Sequence, residues 1–279
     1  MVNSSTEHRS GRVEKYAATL LVVALLAYAG FLLVQSWQEA KTGQASQAAT
    51  IAALSGNALD VYFSQLHIGM QSLGADLAGT RSKPDLDRAF TQVQRFQSLH
   101  RELGNVMLIR GDGQVLLTGT TPNRPDLPTL AGDPAFEQIR GGLQQGPSFA
   151  LGRPVLGTID KSWVIPARYA VADPAGRLAY IISANLPVDM LQRYWIGQPG
   201  SGISALGLLR DDGYLLSRYP LPDVASLDQM YSQPDAGAAA GYLRANSRLQ
   251  HYPLTLFVET PIAEIRAAWW RNMHAPYFL

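Results

Sequence analysis

Hydrophobic periodicity divides the chain into three stretches. Residues 16–34, YAATLLVVALLAYAGFLLV, run for nineteen positions without a charge. At about 1.5 Å per residue this nearly crosses a hydrocarbon layer of about 30 Å, which predicts a membrane-spanning helix over 16–36. From Gln38 to Leu77 the text is rich in Ala, Gln and Leu and lacks proline. Ile51, Leu54, Ala58, Val61, Leu66, Ile68 and Leu73 recur there at mostly helical spacing, predicting one long helix. RSKPDLDRAFTQVQRFQSLHREL then predicts a second helix, with Asp85 as N-cap and Phe90, Val93, Phe96 and Leu99 on its apolar side.

Beyond residue 104 the period falls from 3.6 to 2. NVMLIRGDGQVLLTG, from residue 105, reads as strand, turn, strand around Asp112-Gly113. ALGLLRDDGYLLSRY repeats it 100 residues later around Asp212-Gly213. Arg110 aligns with Arg210 and Leu116 with Leu216. Type I′ turns are expected at both Asp-Gly pairs, glycine supplying the positive φ. Each hairpin is followed by a short helical stretch: DPAFEQIRGGL, with Asp133 as its cap, and PDVASLDQMYSQ. A second hairpin closes each half, SWVIPARYAVADPAGRLAYIISANLPV turning at residues 173–176, and GYLRANSRLQHYPLTLFVETPI. Two copies of hairpin, short helix, hairpin imply duplication of a domain rather than a solenoid unit.

Composition narrows the function classes. The chain has 279 residues, 47% hydrophobic and 16% charged, a globular balance able to bury a core. A net charge of +1 offers no broad field for a nucleic acid. With no cysteine, disulfides, thiolate catalysis and zinc–cysteine sites are excluded. The five histidines, at 8, 67, 100, 251 and 274, form no metal-binding pair, so no metal or cofactor is expected. GQPGSG at 197–202 lacks the lysine of a phosphate loop and reads as a linker between the copies. No nucleophile elbow, cyclase, kinase or phosphodiesterase signature is present, so the chain is not expected to be an enzyme.

Arg9, Arg12 and Lys15 precede the apolar run, so the positive-inside rule keeps the N-terminus cytoplasmic and exports the bulk of the chain. Ala27-Tyr28-Ala29 also has the small-x-small form of a signal-peptide cleavage site, although FLLV continues the apolar run beyond it. Trp37, Trp269 and Trp270 are expected at the membrane interface.

This layout resembles the double Cache sensor domains of bacterial transmembrane signalling proteins, which are PDC-type tandem PAS-like modules. It carries one membrane helix, a long exported helix and two duplicated strand-rich modules. Three phrases carry the resemblance locally: GDGQVLL, GRPVLG with SWVIPARYAVADPAGRLAYIISANL, and YPLTLFVETPIAEI. They are most like sensors that precede diguanylate cyclase and phosphodiesterase modules. The resemblance implies an α+β fold with antiparallel sheets. It also implies these divisions: tail 1–15, membrane helix 16–36, signalling helices 37–104, membrane-distal module 105–196, membrane-proximal module 197–270, and a run toward a second membrane helix at 271–279.

The same resemblance implies extracytoplasmic sensing of a small anionic or zwitterionic ligand, bound in the membrane-distal module, with a homodimer formed through the long helix. A ligand-free structural anchor or protein-binding module of the same fold is the alternative. In amino-acid-binding members an arginine and aromatic residues of the third strand hold the ligand carboxylate, and an aspartate ending the last strand takes the amine. Trp163, Arg168 and Tyr169 match that region here, while Asn185 stands near the aspartate position, a departure from the amino-acid pattern. Arg153, between Gly152 and Pro154, is either a loop anion-binder or a solvated charge. Strict alternation puts Trp163 and Arg168 on opposite faces unless Pro166 introduces a bulge.

Overall fold

The structure, a computed structural model, describes residues 4–78, 85–120, 126–146, 148–157, 161–193, 205–220 and 241–274. Its contacts divide into two units, residues 1–47 with 261–279, and residues 48–260. The expected linker at 197–202, the short helix at 222–233 and the last five residues lie outside the described residues.

Helix α1 (Ser4–Ala78) is continuous, so the apolar run and the long polar helix form one element. No proline occurs before Pro84 to interrupt it. In the first unit, Leu20, Leu26, Phe31 and Val34 are all exposed. Among the described residues α1 is the one helix long and apolar enough to cross a membrane. Just past the run, α1 meets α5 (Ile262–His274). Trp269 Nε1 donates to Ser36 Oγ at 2.9 Å, and the Trp269 ring lies 5.5 Å from Trp37 and 5.1 Å from Trp270. The Lys41 ammonium lies 5.5 Å from the Trp37 ring.

The second unit contains two antiparallel sheets. The first comprises β1 (Asn105–Arg110), β2 (Val115–Thr118), β3 (Phe149–Leu151), β4 (Val155–Leu156), β5 (Trp163–Ala172) and β6 (Leu178–Pro187). Its order is β2-β1-β6-β5-β3, with β4 also on β5. The second comprises β7 (Ala205–Arg210), β8 (Leu215–Tyr219), β9 (Tyr242–Arg248) and β10 (Leu254–Pro261), in the order β8-β7-β10-β9. The copies agree down to a bulge. Ladder β1–β2 passes from Leu108↔Leu117 to Ile109↔Val115, and β7–β8 from Leu208↔Ser217 to Leu209↔Leu215, each skipping the leucine at 116 or 216.

The turns differ from the expected type I′. Gly113 and Gly213 have positive φ, but Asp112 and Asp212 do not. Gly113 N–H donates to Arg110 O, Gly213 N–H to Arg210 O, and residues 110 and 210 close the loop onto 114 and 214. These are three-residue loops, a tight turn followed by a left-handed glycine, and each aspartate accepts hydrogen bonds instead of bending its own backbone.

Period-2 alternation gives the first sheet two apolar faces. Leu108, Leu117, Ile165, Ala184 and Leu186 join Phe63, Leu66 and Met70 of α1 and Val93 and Phe96 of α2 (Leu86–Leu99) in the main core. Leu206, Leu208, Leu256 and Val258 of the second sheet enter the same core. Met107, Ile109, Val115 and Ile181 face the other way, onto Phe136, Ile139 and Leu143 of α3 (Pro134–Gln145). Asp85 and Asp133 cap α2 and α3 as expected, Asp133 accepting from Phe136 N–H at 2.8 Å. The short helix α4 (Val188–Arg193) follows β6, and Ser217 Oγ donates to Val188 O at 3.0 Å. The β9–β10 turn is fastened to α1 by Asp60, which accepts from His251 N–H at 3.0 Å and meets Nδ1 of the same residue at 2.5 Å.

Candidate ligand-binding site

The face of the first sheet beneath α3 is apolar at its centre and polar along one side. The β5–β6 register runs unbroken through Pro166↔Asn185, Ala167↔Ala184 and Arg168↔Ser183, shifting only between Val171 and Ala172. Pro166 therefore introduces no bulge. Val164, Pro166 and Arg168 share the α3 side, and Trp163, Ile165, Ala167 and Tyr169 the opposite side.

On the α3 side lies a cavity of about 50 Å³, lined by apolar groups that include Met107, Leu130, Phe136, Val155 and Val164. Three polar residues complete the lining: Arg168, Asn185 and Asp133. β5 brings in Arg168, β6 brings in Asn185, and the N-terminus of α3 brings in Asp133. An apolar lining with a few convergent polar groups is the common form of a small-molecule site. Ser183, fully buried beside Arg168 in the ladder, has no hydrogen-bond partner for Oγ among the described residues.

Arg168 is the most unusual of these groups. Its residue is 5% exposed, yet no carboxylate forms an ion pair with it among the described residues. Nη1 donates to Ala135 O at a long 3.4 Å, the guanidinium carbon lies 5.1 Å from the Phe136 ring, and Nε has no hydrogen-bond partner among the described residues. Burial pushes its pKa down to about 10, against the opposing charge of Asp133. A guanidinium remains charged there. A buried cation without a directly bonded anion destabilises the fold, and its planar fork is suited to a carboxylate or phosphate oxygen pair.

The structure thus brings together two of the five residues expected from the sequence, Arg168 and Asn185. Trp163 is half-buried opposite Leu156 and packs on the main core. Tyr169 lies against α1, where a Cβ on Gly74 would come within 2.9 Å of its ring, and 5.8 Å from the His67 ring. Arg153 sits between β3 and β4 and donates from Nη1 to Tyr214 Oη at 2.8 Å. Asp133 and Ser183 were not singled out as site residues by sequence reasoning. Asp133 carries only the signal of a cap, whereas Ser183 stands two positions before Asn185 in a strand, a spacing that places both on one face. Among the described residues no three His, Asp or Glu side chains converge as a metal site.

No protein-family model and no curated protein matches the chain. Solved structures do. The extracellular domain of rpHK1S-Z16, described as a histidine kinase, aligns with a TM-score of 0.62 at 15% identity, over 80% of this chain and 97% of that one. The ligand-binding domain of the Pseudomonas fluorescens chemoreceptor CtaA, in complex with L-valine, aligns with a TM-score of 0.60 at 13% identity, over 78% and 96%. The sensory domain of the Campylobacter jejuni chemoreceptor Tlp3 (CcmL), with isoleucine bound, aligns with a TM-score of 0.58 at 14% identity, over 83% and 98%. With its long first helix and two like-ordered antiparallel sheets, the chain has the α+β fold of the double Cache sensor domains.

Proposed function

We propose that this chain is the extracytoplasmic sensing domain of a bacterial membrane receptor, binding a small anionic or zwitterionic ligand in the cavity of its first sheet. The observation that carries this reading is Arg168, a buried cation lining an apolar cavity with no carboxylate bonded to it among the described residues. Arg168 holds the ligand's anionic group, and Asn185, Ser183 and Asp133 orient the remainder. The valine and isoleucine bound by the structural neighbours are zwitterions of this class. Asp133 supplies an anionic partner for an ammonium, although Asn185 departs from the amino-acid pattern. The activity is binding, without catalysis.

The 16–34 run anchors the chain with its N-terminus in the cytoplasm, and the sheets lie in the periplasm or its equivalent. Residues 105–196 and 197–270 act as membrane-distal and membrane-proximal modules. The receptor works as a homodimer through α1, whose exposed Leu54, Val61 and Ile68 stand seven residues apart, the spacing of a coiled-coil seam. In longer relatives the output is turnover of cyclic di-GMP, a reading supported by the local phrases of the sequence.

Thermal melting of the full chain in lipid nanodiscs, against a panel of amino acids and small carboxylates, tests the binding reading. A ligand at about 100 times its Kd should stabilise the protein by about 2.7 kcal/mol. Arg168→Leu should abolish that shift while leaving the unliganded melting point equal or higher, because an unpaired buried charge is removed. A shift that survives the substitution places the site elsewhere. A flat response to every compound favours the ligand-free anchor.

A further inference from the structure

The hairpin repeat raises a question that binding alone does not answer: what the second copy does for the first. Position 114 follows the turn glycine of the first hairpin, and position 214 follows that of the second. Gln114 Nε2 donates to Leu127 O at 3.0 Å, while Leu130 N–H donates to Gly113 O at 2.8 Å. The first hairpin thus fastens the segment that carries Leu130 into the cavity lining.

The second hairpin fastens a different segment. Tyr214 Oη accepts from Arg153 Nη1, and the Arg153 guanidinium stacks 4.6 Å from the Tyr214 ring. Arg210 is forked onto Asp212 at 3.0 and 2.9 Å and also donates from Nη1 to Leu151 O. Leu151 and Arg153 flank Gly152, whose N–H donates to Pro166 O at 2.7 Å; a Cβ there would meet Pro166 Cγ at 2.6 Å. The same segment continues into Val155, Leu156 and Gly157, which line the cavity. Arg110, the counterpart of Arg210, makes the same fork with Asp112, but its side chain is 53% exposed against 17% for Arg210. The contact to the 151–157 segment is what distinguishes the second copy.

We infer that the two hairpins clamp opposite walls of one cavity, so that Arg210 and Tyr214 of the second sheet, with Arg153, are positioning residues for the site in the first. Movement of the 151–157 wall and of the β7–β8 turn are then coupled. By linkage, whatever displaces the second sheet changes affinity in the first, and occupancy acts back by the same factor. The effect on affinity rests on the cavity being the ligand site; the holding of the wall does not.

Hydrogen–deuterium exchange of the full chain in nanodiscs, without ligand, tests the clamp. In the double variant Arg210→Gln with Tyr214→Phe, peptides covering 151–157 should exchange about fivefold faster, while β1 and β6 stay protected. Arg110→Gln, which breaks the equivalent fork, should leave 151–157 unchanged. Unaltered exchange in the double variant, or an equal effect of Arg110→Gln, overturns the inference. Calorimetric titration with L-valine adds the second arm, with affinity expected to fall about fivefold or more in the double variant. Equal affinity overturns the coupling. If the wild-type chain does not bind L-valine, the ligand reading fails for that probe, and the exchange result still decides the clamp.

Discussion

At the scale of single residues, the two sheets treat buried charge in opposite ways. Glu259 pairs with Ala205 in the second sheet as Asn185 pairs with Asn105 in the first, and it is also buried. Arg244 Nε donates to it at 2.9 Å, and Arg218 stands 3.6 Å away. The Phe257 ring fills the space above Gly207, where a Cβ would meet it at 2.4 Å. The buried Glu259 carboxylate is thus met by two arginines of its own sheet, whereas the Arg168 guanidinium meets, among the described residues, a carbonyl, a ring and the charge of Asp133 without an ion pair.

His67 is a second residue whose state depends on burial. Its ring stacks on Phe149 at 4.8 Å and 17°, and burial lowers its pKa below the ordinary value of 6.5. As pH falls, the unfolded chain takes up the proton first, so stability is complete above about pH 6.5 and declines toward the folded pKa. His67→Phe keeps the stacked ring and removes the proton. Urea denaturation at about pH 7.5 and 5.5 should show a smaller acid loss in the variant than in the wild type. Equal losses would mean that other groups carry the dependence.

At the scale of elements, the two hairpin loops share one geometry. Gly113 has φ +100° and Gly213 φ +86°, so a side chain at either position is strained. Gly113→Ala and Gly213→Ala should each lower stability by about 1 kcal/mol. At Gly113 a further loss is expected, because the new Cβ would approach Ala131 N to 2.7 Å and push on the segment that carries Leu130. Equilibrium unfolding of the two variants measures both effects. No loss at either would contradict the left-handed conformation of the turns.

At the scale of the whole molecule, α1 joins the apolar run to the core that both sheets share. Its Leu54, Val61 and Ile68, seven residues apart, are exposed. The chain has no cysteine, so single-cysteine variants report proximity cleanly. Val61→Cys should form a disulfide-linked dimer under mild oxidation, since a seam position brings its two copies into bonding range. Leu99→Cys, at 73% more exposed than Val61 at 57% but on α2, should remain monomeric on a non-reducing gel. Failure of Val61→Cys to cross-link, or equal cross-linking at Leu99, would remove the parallel seam.

What was legible in the sequence is what short-range physics governs. Charge-free length marks the span, and period 3.6 followed by period 2 marks where helices give way to strands. Asp85 and Asp133 announce helix starts because a cap needs only its next three residues. The repeat was visible because an Asp-Gly loop must be written locally. Alternation likewise separates Trp163 from Arg168, but the effect of Pro166 depended on its pairing with Asn185 in β6. Which strand face meets α1 and which meets α3 depends on partners far away in sequence. Arg153 shows the limit most clearly. Nothing near it in the chain announces Tyr214, 61 residues on, whose ring and hydroxyl occupy its guanidinium. Local sequence determined which groups face the same way, and tertiary packing decided which of them enclose a cavity, because a cavity is made by elements that meet only when the chain is folded.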